Sequence, residues 1–276
     1  MGKLSEHISD KSVMLFWGPP KVGKTVLASQ FPQPFFVDLD DGISSVKAMR
    51  AALGLTFDFD VVSIDSNPTE DEDYIKLCGK AFASQSAWTK TKKLINVLSR
   101  KLPPSATLVI DNLSRINEYI IGEIQDRANR RQLQIQDWGV FVDEVGLMLT
   151  DIKKCKCNVI IIAHEEYQKD ALTEELHKYI LISTRARYRI PSAVTDYLYM
   201  KNDISGPNTK RVINRVLQSM PDPVTNTGSR ALIPNIVNPT YKKLRPFLKS
   251  ALNRDPGEPT WTPPDPEPQD VRNKSS

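Results

Sequence analysis

The stretch that most limits what this chain can fold into is Val13 to Thr25, VMLFWGPPKVGKT. An apolar run feeds straight into a glycine, and Gly18-Pro19-Pro20-Lys21-Val22-Gly23-Lys24-Thr25 then fits the spacing G-x-x-x-x-G-K-S/T. The spacing has a physical basis. A strand delivers the backbone to a tight turn, and two glycines let successive N–H groups point inward at a phosphate. A helix starting near Lys24 adds its positive end. Lys24 supplies a point charge for β- and γ-phosphates, and the Thr25 hydroxyl is a ligand for Mg²⁺. The expected phosphate-binding set runs from Gly18 through Val26. The apolar run before it and the helical TVLASQF after it supply the context that the motif needs.

Such a loop implies an α/β fold, and the rest of the chain has that pattern. Strand-like apolar runs fall at Val13–Trp17, Pro34–Val37, Val61–Ile64, Thr107–Ile110 and Asn158–Ala163. Helical stretches are expected at Lys24–Gln30, Ser84–Arg100, Ser114–Arg130 and Trp138–Cys155, with apolar residues three and four apart, such as Leu94, Val97 and Leu98. Strands alternating with helices predict a mostly parallel sheet covered by helices. Two later runs, Ala193–Lys201 and Lys210–Gln218, flank the turn-like NDISGPNT and predict an antiparallel hairpin at the sheet edge.

The boundaries follow from composition. Residues 1–11 are a polar lead-in, 12–250 form the ATPase-type core, and 251–276 are a proline-rich acidic tail that cannot build a core. The tail is either a solubilising end or a partner peptide, for example for a single-strand-binding or replication protein. No apolar run approaches the ~20 residues of a membrane span, and the N-terminus lacks a signal peptide's apolar stretch. The chain therefore reads as cytoplasmic. The three cysteines, Cys78, Cys155 and Cys157, suit a reducing compartment. Cys155 and Cys157 have no second pair to complete a zinc site and read as helix-end or core residues. A net charge of +4 permits a nucleic-acid partner without requiring one.

Three further positions bear on the chemistry. Asp111 ends the apolar strand ATLVID, where a carboxylate can hold Mg²⁺ opposite Thr25. FFVDLDDG places acids after the next strand. Asp40 is the first choice, and Asp41 the second, for orienting or deprotonating an attacking water; an acidic turn with a helix cap is the structural alternative. His164, at the end of NVIIIAH, is placed to sense a γ-phosphate.

In order and spacing, GPPKVGKT, FFVDLDDG, TLVIDNLSRI, QDWG and NVIIIAHEE resemble the RecA-like phage nucleotide-binding ATPases, a group that includes the Sak-type single-strand-annealing proteins. The resemblance covers about residues 12–235. It implies a RecA-like P-loop NTPase core with helices on both faces of the sheet, ATP and Mg²⁺ as cofactors, slow DNA-stimulated hydrolysis, and single-stranded DNA as partner. It also implies a homo-oligomer, ring or filament, with ATP at subunit interfaces. The family's Lys-x-Arg segment falls on Gly228-Ser229-Arg230, so Arg230 alone is left to complete a neighbour's site. Two basic segments fall where such a core carries its DNA loops: Arg127, Arg130 and Arg131, and then Arg185, Arg187 and Arg189 with Tyr179 and Tyr188 interleaved. The structural alternative for both is a solvated surface. Rival functions are an ATP-gated DNA-binding scaffold with vestigial hydrolysis, a helicase- or loader-type motor, and a small-molecule kinase.

Overall fold

The computed structural model of the chain describes residues 11–43, 46, 59–64, 68–169, 174–206 and 211–250. The acidic tail and residues 1–10 lie outside them, as do residues 207–210 within the expected hairpin turn.

A ten-stranded mixed sheet organises the molecule. Its centre is β1 (Val13–Gly18), all six residues of which are buried. Burial on both faces is why this strand is a continuous apolar run instead of an alternating one. On one side β1 pairs in parallel with β5 (Asn158–Lys169), which pairs with β4 (Thr107–Asp111), then β2 (Pro34–Asp38) and β3 (Asp60–Ser63). On the other side β1 pairs in parallel with β7 (Asp196–Ser205). β7 forms an antiparallel hairpin with β8 (Val212–Gln218), and the two-residue β10 (Ile236–Val237) covers the outer edge of β8. β5 continues past the sheet into an antiparallel arm with β6 (Leu176–Ile180), and β9 (Gly228–Ser229) pairs with β7.

The register matters more than the strand count. Gly18 lies opposite His164, Asp38 opposite Asp111, and Asp111 opposite Ile162. The C-terminal ends of four parallel strands thus share one edge, where α/β sheets bind ligands. β5, which follows β4 in the chain, lies between the loop strand β1 and the acid strand β4.

Helices cover both faces. Val13, Leu15 and Trp17 pack in one cluster with α4 (Ala87–Lys101), α5 (Leu113–Ala128) and α6 (Asp137–Lys154). Met14 and Phe16 pack in the other with α1 (Lys24–Ala28) and α9 (Tyr241–Ser250). Alternate residues of one strand therefore feed two cores. Ser86 caps α4 by accepting from Thr89 N–H, and Asn112 caps α5 by accepting from Arg115 N–H. α4 and α6 are joined by Trp88 Nε1 to Glu144 at 3.0 Å and Asn96 to Asp151 at 2.9 Å.

Several elements were not expected from the sequence. They are α2 (Pro68–Cys78), α3 (Lys80–Ala83), α7 (Thr184–Arg187), α8 (Ile190–Ala193), α9 and the strands β6, β9 and β10. α2 is acidic along PTEDED and buries Tyr74 and Cys78 near its end, which leaves no apolar stripe to read. α1 is shorter than Lys24–Gln30, ending at Ala28. The first hairpin strand starts later and runs further than expected, from Asp196 to Ser205, and the second starts at Val212 instead of Lys210. Cys155 ends α6 and Cys157 is buried in the core, next to each other. Among the described residues, no helix is long and apolar enough to cross a membrane.

Candidate active site

The loop after β1 has the conformation its glycines allow. Gly18 has φ +144, and a Cβ there would stand 2.1 Å from the Met200 carbonyl oxygen on β7. Gly23 has φ +96 and Lys21 φ +64, so the backbone turns through left-handed geometry twice. Lys24 is buried, and its ammonium donates to the carbonyls of Gly18 at 2.9 Å and Pro19 at 2.7 Å, folding back across the loop. Burial lowers the Lys24 pKa to about 8, against the opposing pull of Asp111 and Glu165. α1 has only five residues, so the loop N–H groups and Lys24, more than a helix dipole, make this a place for anions.

Thr25 Oγ1 donates to Asp111 Oδ2 at 2.6 Å, joining the loop to the end of β4. Asp111 is 3% exposed, and burial pushes its carboxyl up to about 7. The Thr25 hydrogen bond and the Lys24 charge pull it down; Asp38 and Asp40 push it further up. Gly42 presses against this carboxylate, since a Cβ at 42 would lie 2.9 Å from Asp111 Oδ2 and 3.6 Å from Thr25 Oγ1. A buried carboxylate beside a hydroxyl and an anion-binding lysine, with a side-chain-free wall opposite, fits Mg²⁺ and a polyphosphate.

The acids after β2 divide the work differently from a simple acidic turn. Asp38 is buried and accepts N–H bonds from Gly42 at 3.1 Å, Asp40 at 3.4 Å and Ile43 at 3.5 Å. Burial raises its pKa. It shapes the turn, so that Asp40 lines the cavity while Asp41, at φ +49, is exposed. Asn112 Nδ2 donates to Asp40 Oδ2 at 2.9 Å and lies 3.0 Å from His164 Nε2, which is itself 3.4 Å from Asp40 Oδ2. The Asn112 Oδ1 already accepts from Arg115 N–H at 2.9 Å, which fixes the amide with its NH₂ toward the cavity. Burial first, and then Lys24, hold the His164 imidazole below its ordinary pKa, with Asp40 opposing. Neutral His164 accepts from Asn112 through Nε2 and carries its proton on Nδ1, which is buried with no partner among the described residues.

One cavity of about 260 Å³ is thus lined by Pro20, Lys21, Gly23, Lys24, Thr25, Asp40, Gly42, Asp111, Asn112, Ile162 and His164. Sequence reasoning missed Asn112, Asp38 and Gly42. Asn112 carries a faint signal, an asparagine between an apolar strand and a helix, but every such cap looks alike. Glu165, which the resemblance marked only as part of NVIIIAHEE, is held by Tyr199 at 2.7 Å and Tyr167 at 2.9 Å.

The remaining predicted residues lie elsewhere. Arg230 N–H donates to Thr195 O, and Thr195 N–H to Val13 O, so Arg230 sits at the start of β1, the end remote from Gly18. There it lines a second cavity of about 240 Å³ with Thr195, Tyr197, Thr227 and Gly228. The basic segments need correcting. Arg187 is 5% exposed, pairs with Glu166, donates to Gln168 at 2.9 Å and packs 4.4 Å from the Tyr179 ring. Its charge is consumed inside the fold, because a buried cation needs a buried partner. Arg130 likewise clamps Asp137 at 2.7 Å, at the start of α6. Arg127 pairs with Glu123 yet is largely exposed. Arg131, Arg185 and Arg189 are exposed, with Tyr188 at 74%.

Among solved structures, the RadB recombinase is similar at a TM-score of 0.41 and 14% identity, over 75% of this chain and 79% of that one. The flagellar accessory protein FlaH from Methanocaldococcus jannaschii is similar at 0.33 and 11%, over 75% and 76%. No curated protein matches. The AAA domain family model matches residues 10–231. With its α/β P-loop NTPase fold and ATPase-type loop, this chain belongs to the AAA domain family.

Proposed function

We propose that the chain binds and hydrolyses ATP with Mg²⁺ on a RecA-like core and acts on single-stranded DNA in phage-type recombination or replication, by strand annealing or exchange. The observation that carries the reading is the convergence of Lys24, Thr25, Asp111, Asp40 and His164 on one cavity, from the loop after β1 and the ends of β2, β4 and β5. Loop N–H groups from Gly18 to Val26 and the Lys24 ammonium hold the β- and γ-phosphates. Thr25 and Asp111 hold Mg²⁺, which when bound screens the charge of the transferring phosphoryl group. Asp40, kept in place by Asn112, orients water and takes its proton as the oxygen attacks the γ-phosphorus and ADP leaves. His164 registers loss of the γ-phosphate. It heads the β5–β6 arm, so the change has a path out of the site.

Arg230 lies at the end of β1 remote from its own loop, which supports a role in a neighbour's site within an assembly. Exposed Arg131, Arg185 and Arg189, with Arg127, support DNA contact through phosphates, and Tyr188 through stacking. The test is ATP turnover by wild type and Lys24→Ala, with and without single-stranded DNA, with DNA binding followed in parallel. DNA-stimulated turnover that the variant abolishes is expected. ATP binding with no DNA binding and no change in rate would remove the recombination reading.

A further inference from the structure

The cavity described above is smaller than the about 300 Å³ at which sites for whole organic ligands begin, at about 260 Å³. It suits a phosphate tail, and the rest of a nucleotide must leave it. The β4 and β5 flank is closed by the Asp40–Asn112–His164 bonds and carries the carboxylates of Asp38, Asp40, Asp111 and Glu165. The other flank, toward β7 and β8, has a different charge. There the Arg215 guanidinium lies over Gly23. A Cβ on Gly23 would meet Arg215 Nε, Cζ and Nη1 all at 3.4 Å, so the planar group rests flat on the loop backbone.

Arg215 comes from β8, opposite Asn202, and its backbone is clamped on both sides. Its N–H donates to Asn238 Oδ1 at 3.0 Å, and its carbonyl accepts from Asn238 N–H at 2.6 Å. Asn238 also donates to Asn214 Oδ1 at 3.1 Å. The side chain is half-buried and, among the described residues, its guanidinium has no hydrogen-bond or carboxylate partner. A guanidinium that is partly desolvated, held in place and left unpaired beside a phosphate-binding loop is short of an anion. Position 23 favours glycine for its left-handed φ.

We propose that Arg215 is a nucleotide-binding residue in cis, donating to the phosphate chain of the bound nucleoside triphosphate from the flank opposite Asp111. This rests on the ATP reading of the same cavity. The ligand is clamped between Lys24 and Arg215, with Mg²⁺ and the water-orienting acid on the far side. The edge hairpin β7–β8 thereby becomes part of the site.

The test is calorimetric binding of Mg·ATP, Mg·ADP and inorganic tripolyphosphate to wild type, Arg215→Ala and Arg215→Lys, with Lys24→Ala as reference. Arg215→Ala is expected to weaken ATP and tripolyphosphate alike, by about 10- to 100-fold, the usual loss for a hydrogen bond to a charged group. Arg215→Lys should recover part of it, and also keeps the test alive should the alanine variant fold poorly. Undiminished tripolyphosphate binding by a folded Arg215→Ala would overturn the proposal, including the case in which ATP alone is weakened, since the contact is then with the nucleoside. A wild type that binds none of the three removes the ATP reading and this proposal with it. Wild-type binding that Lys24→Ala abolishes and Arg215→Ala leaves intact removes this proposal only.

Discussion

Gly42 offers the sharpest probe of the site, because it has no chemistry of its own. Its φ is ordinary, so alanine is allowed by the backbone, and the effect of Gly42→Ala comes from one methyl group. That methyl would stand 2.9 Å from Asp111 Oδ2 and 3.4 Å from its Cγ, about half an ångström inside normal contact. Two movements can relieve it. Asp111 can swing away and lose the 2.6 Å bond from Thr25, or residue 42 can back off and lose its 3.1 Å bond to Asp38. Either costs about 0.5–1.5 kcal/mol, and the alanine returns about 0.4–1 kcal/mol through the unfolded chain. The net change in stability should stay below about 1 kcal/mol, or about 2–4 °C in melting temperature. Turnover should suffer far more, since a displacement of this size at a phosphoryl-transfer site costs about 100-fold. Gly139→Ala, where a Cβ meets nothing within 4 Å on α6, is the control and should be neutral or slightly stabilising. Melting curves and Mg²⁺-dependent ATP turnover of both variants decide it. A Gly42→Ala protein that turns over ATP like wild type would refute the packing of this loop on Asp111 as a functional contact.

Asn112→Asp keeps the cap acceptor for Arg115 N–H but sets a carboxylate 2.9 Å from Asp40; turnover should fall at least about 10-fold with stability changed by less than about 1 kcal/mol, whereas wild-type turnover would assign Asn112 to the helix cap alone. Burial lowers the folded-state pKa of His164, so the unfolded chain takes up that proton first as pH falls below about 6.5, while the raised Asp111 carboxyl acts in the opposite sense; in urea titrations between pH 7 and 5 wild type should therefore lose stability relative to His164→Gln, by up to about 1.4 kcal/mol per pH unit. Arg187→Ala should destabilise by about 3–5 kcal/mol through the charge stranded on Glu166, while Arg185→Ala and Arg189→Ala leave the melting temperature unchanged and weaken single-stranded DNA binding in a salt-dependent way; an Arg187→Ala protein of wild-type stability would show that the pair does not hold the β5–β6 arm.

The central strands and the phosphate loop were legible because they rest on local rules. A strand buried on both faces must be apolar throughout, and VMLFW is; a loop that cradles phosphate must have glycine where φ turns positive, and Gly18 and Gly23 do. Asp111 was legible for the same reason, as an acid ending an apolar strand. What stayed hidden depends on partners distant in sequence. Nothing local separates Arg187 from Arg185 and Arg189, since Glu166 and Gln168 reach it from the extension of β5. Nothing local tells Asp38 from Asp40, whose roles are set by a turn closing on itself and by Asn112, 72 residues away. α2 stayed hidden because Tyr74 and Cys78 are too few to show a period.

On the proposed reading, the two ends of β1 also constrain assembly. Gly18 and Val13 are six residues apart inclusive, about 17–20 Å of strand, and Arg230 hangs from the Val13 end through Thr195. No side-chain rotation brings Arg230 to its own loop. It reaches a nucleotide only if the N-terminal edge of one copy faces the C-terminal edge of another. Such a contact joins two different patches, so it closes either as a two-fold dimer in which each copy's Arg230 serves the other, or as a head-to-tail ring or filament. Complementation follows directly. Lys24→Ala and Arg230→Ala should each be inactive alone. Co-expressed, they form some interfaces in which an intact loop meets an intact arginine, about a quarter of the total for random head-to-tail assembly. DNA-stimulated turnover should then return toward a quarter of wild type. If Arg230→Ala alone retains full turnover, or the mixture stays silent while both variants assemble, Arg230 does not complete a neighbour's site.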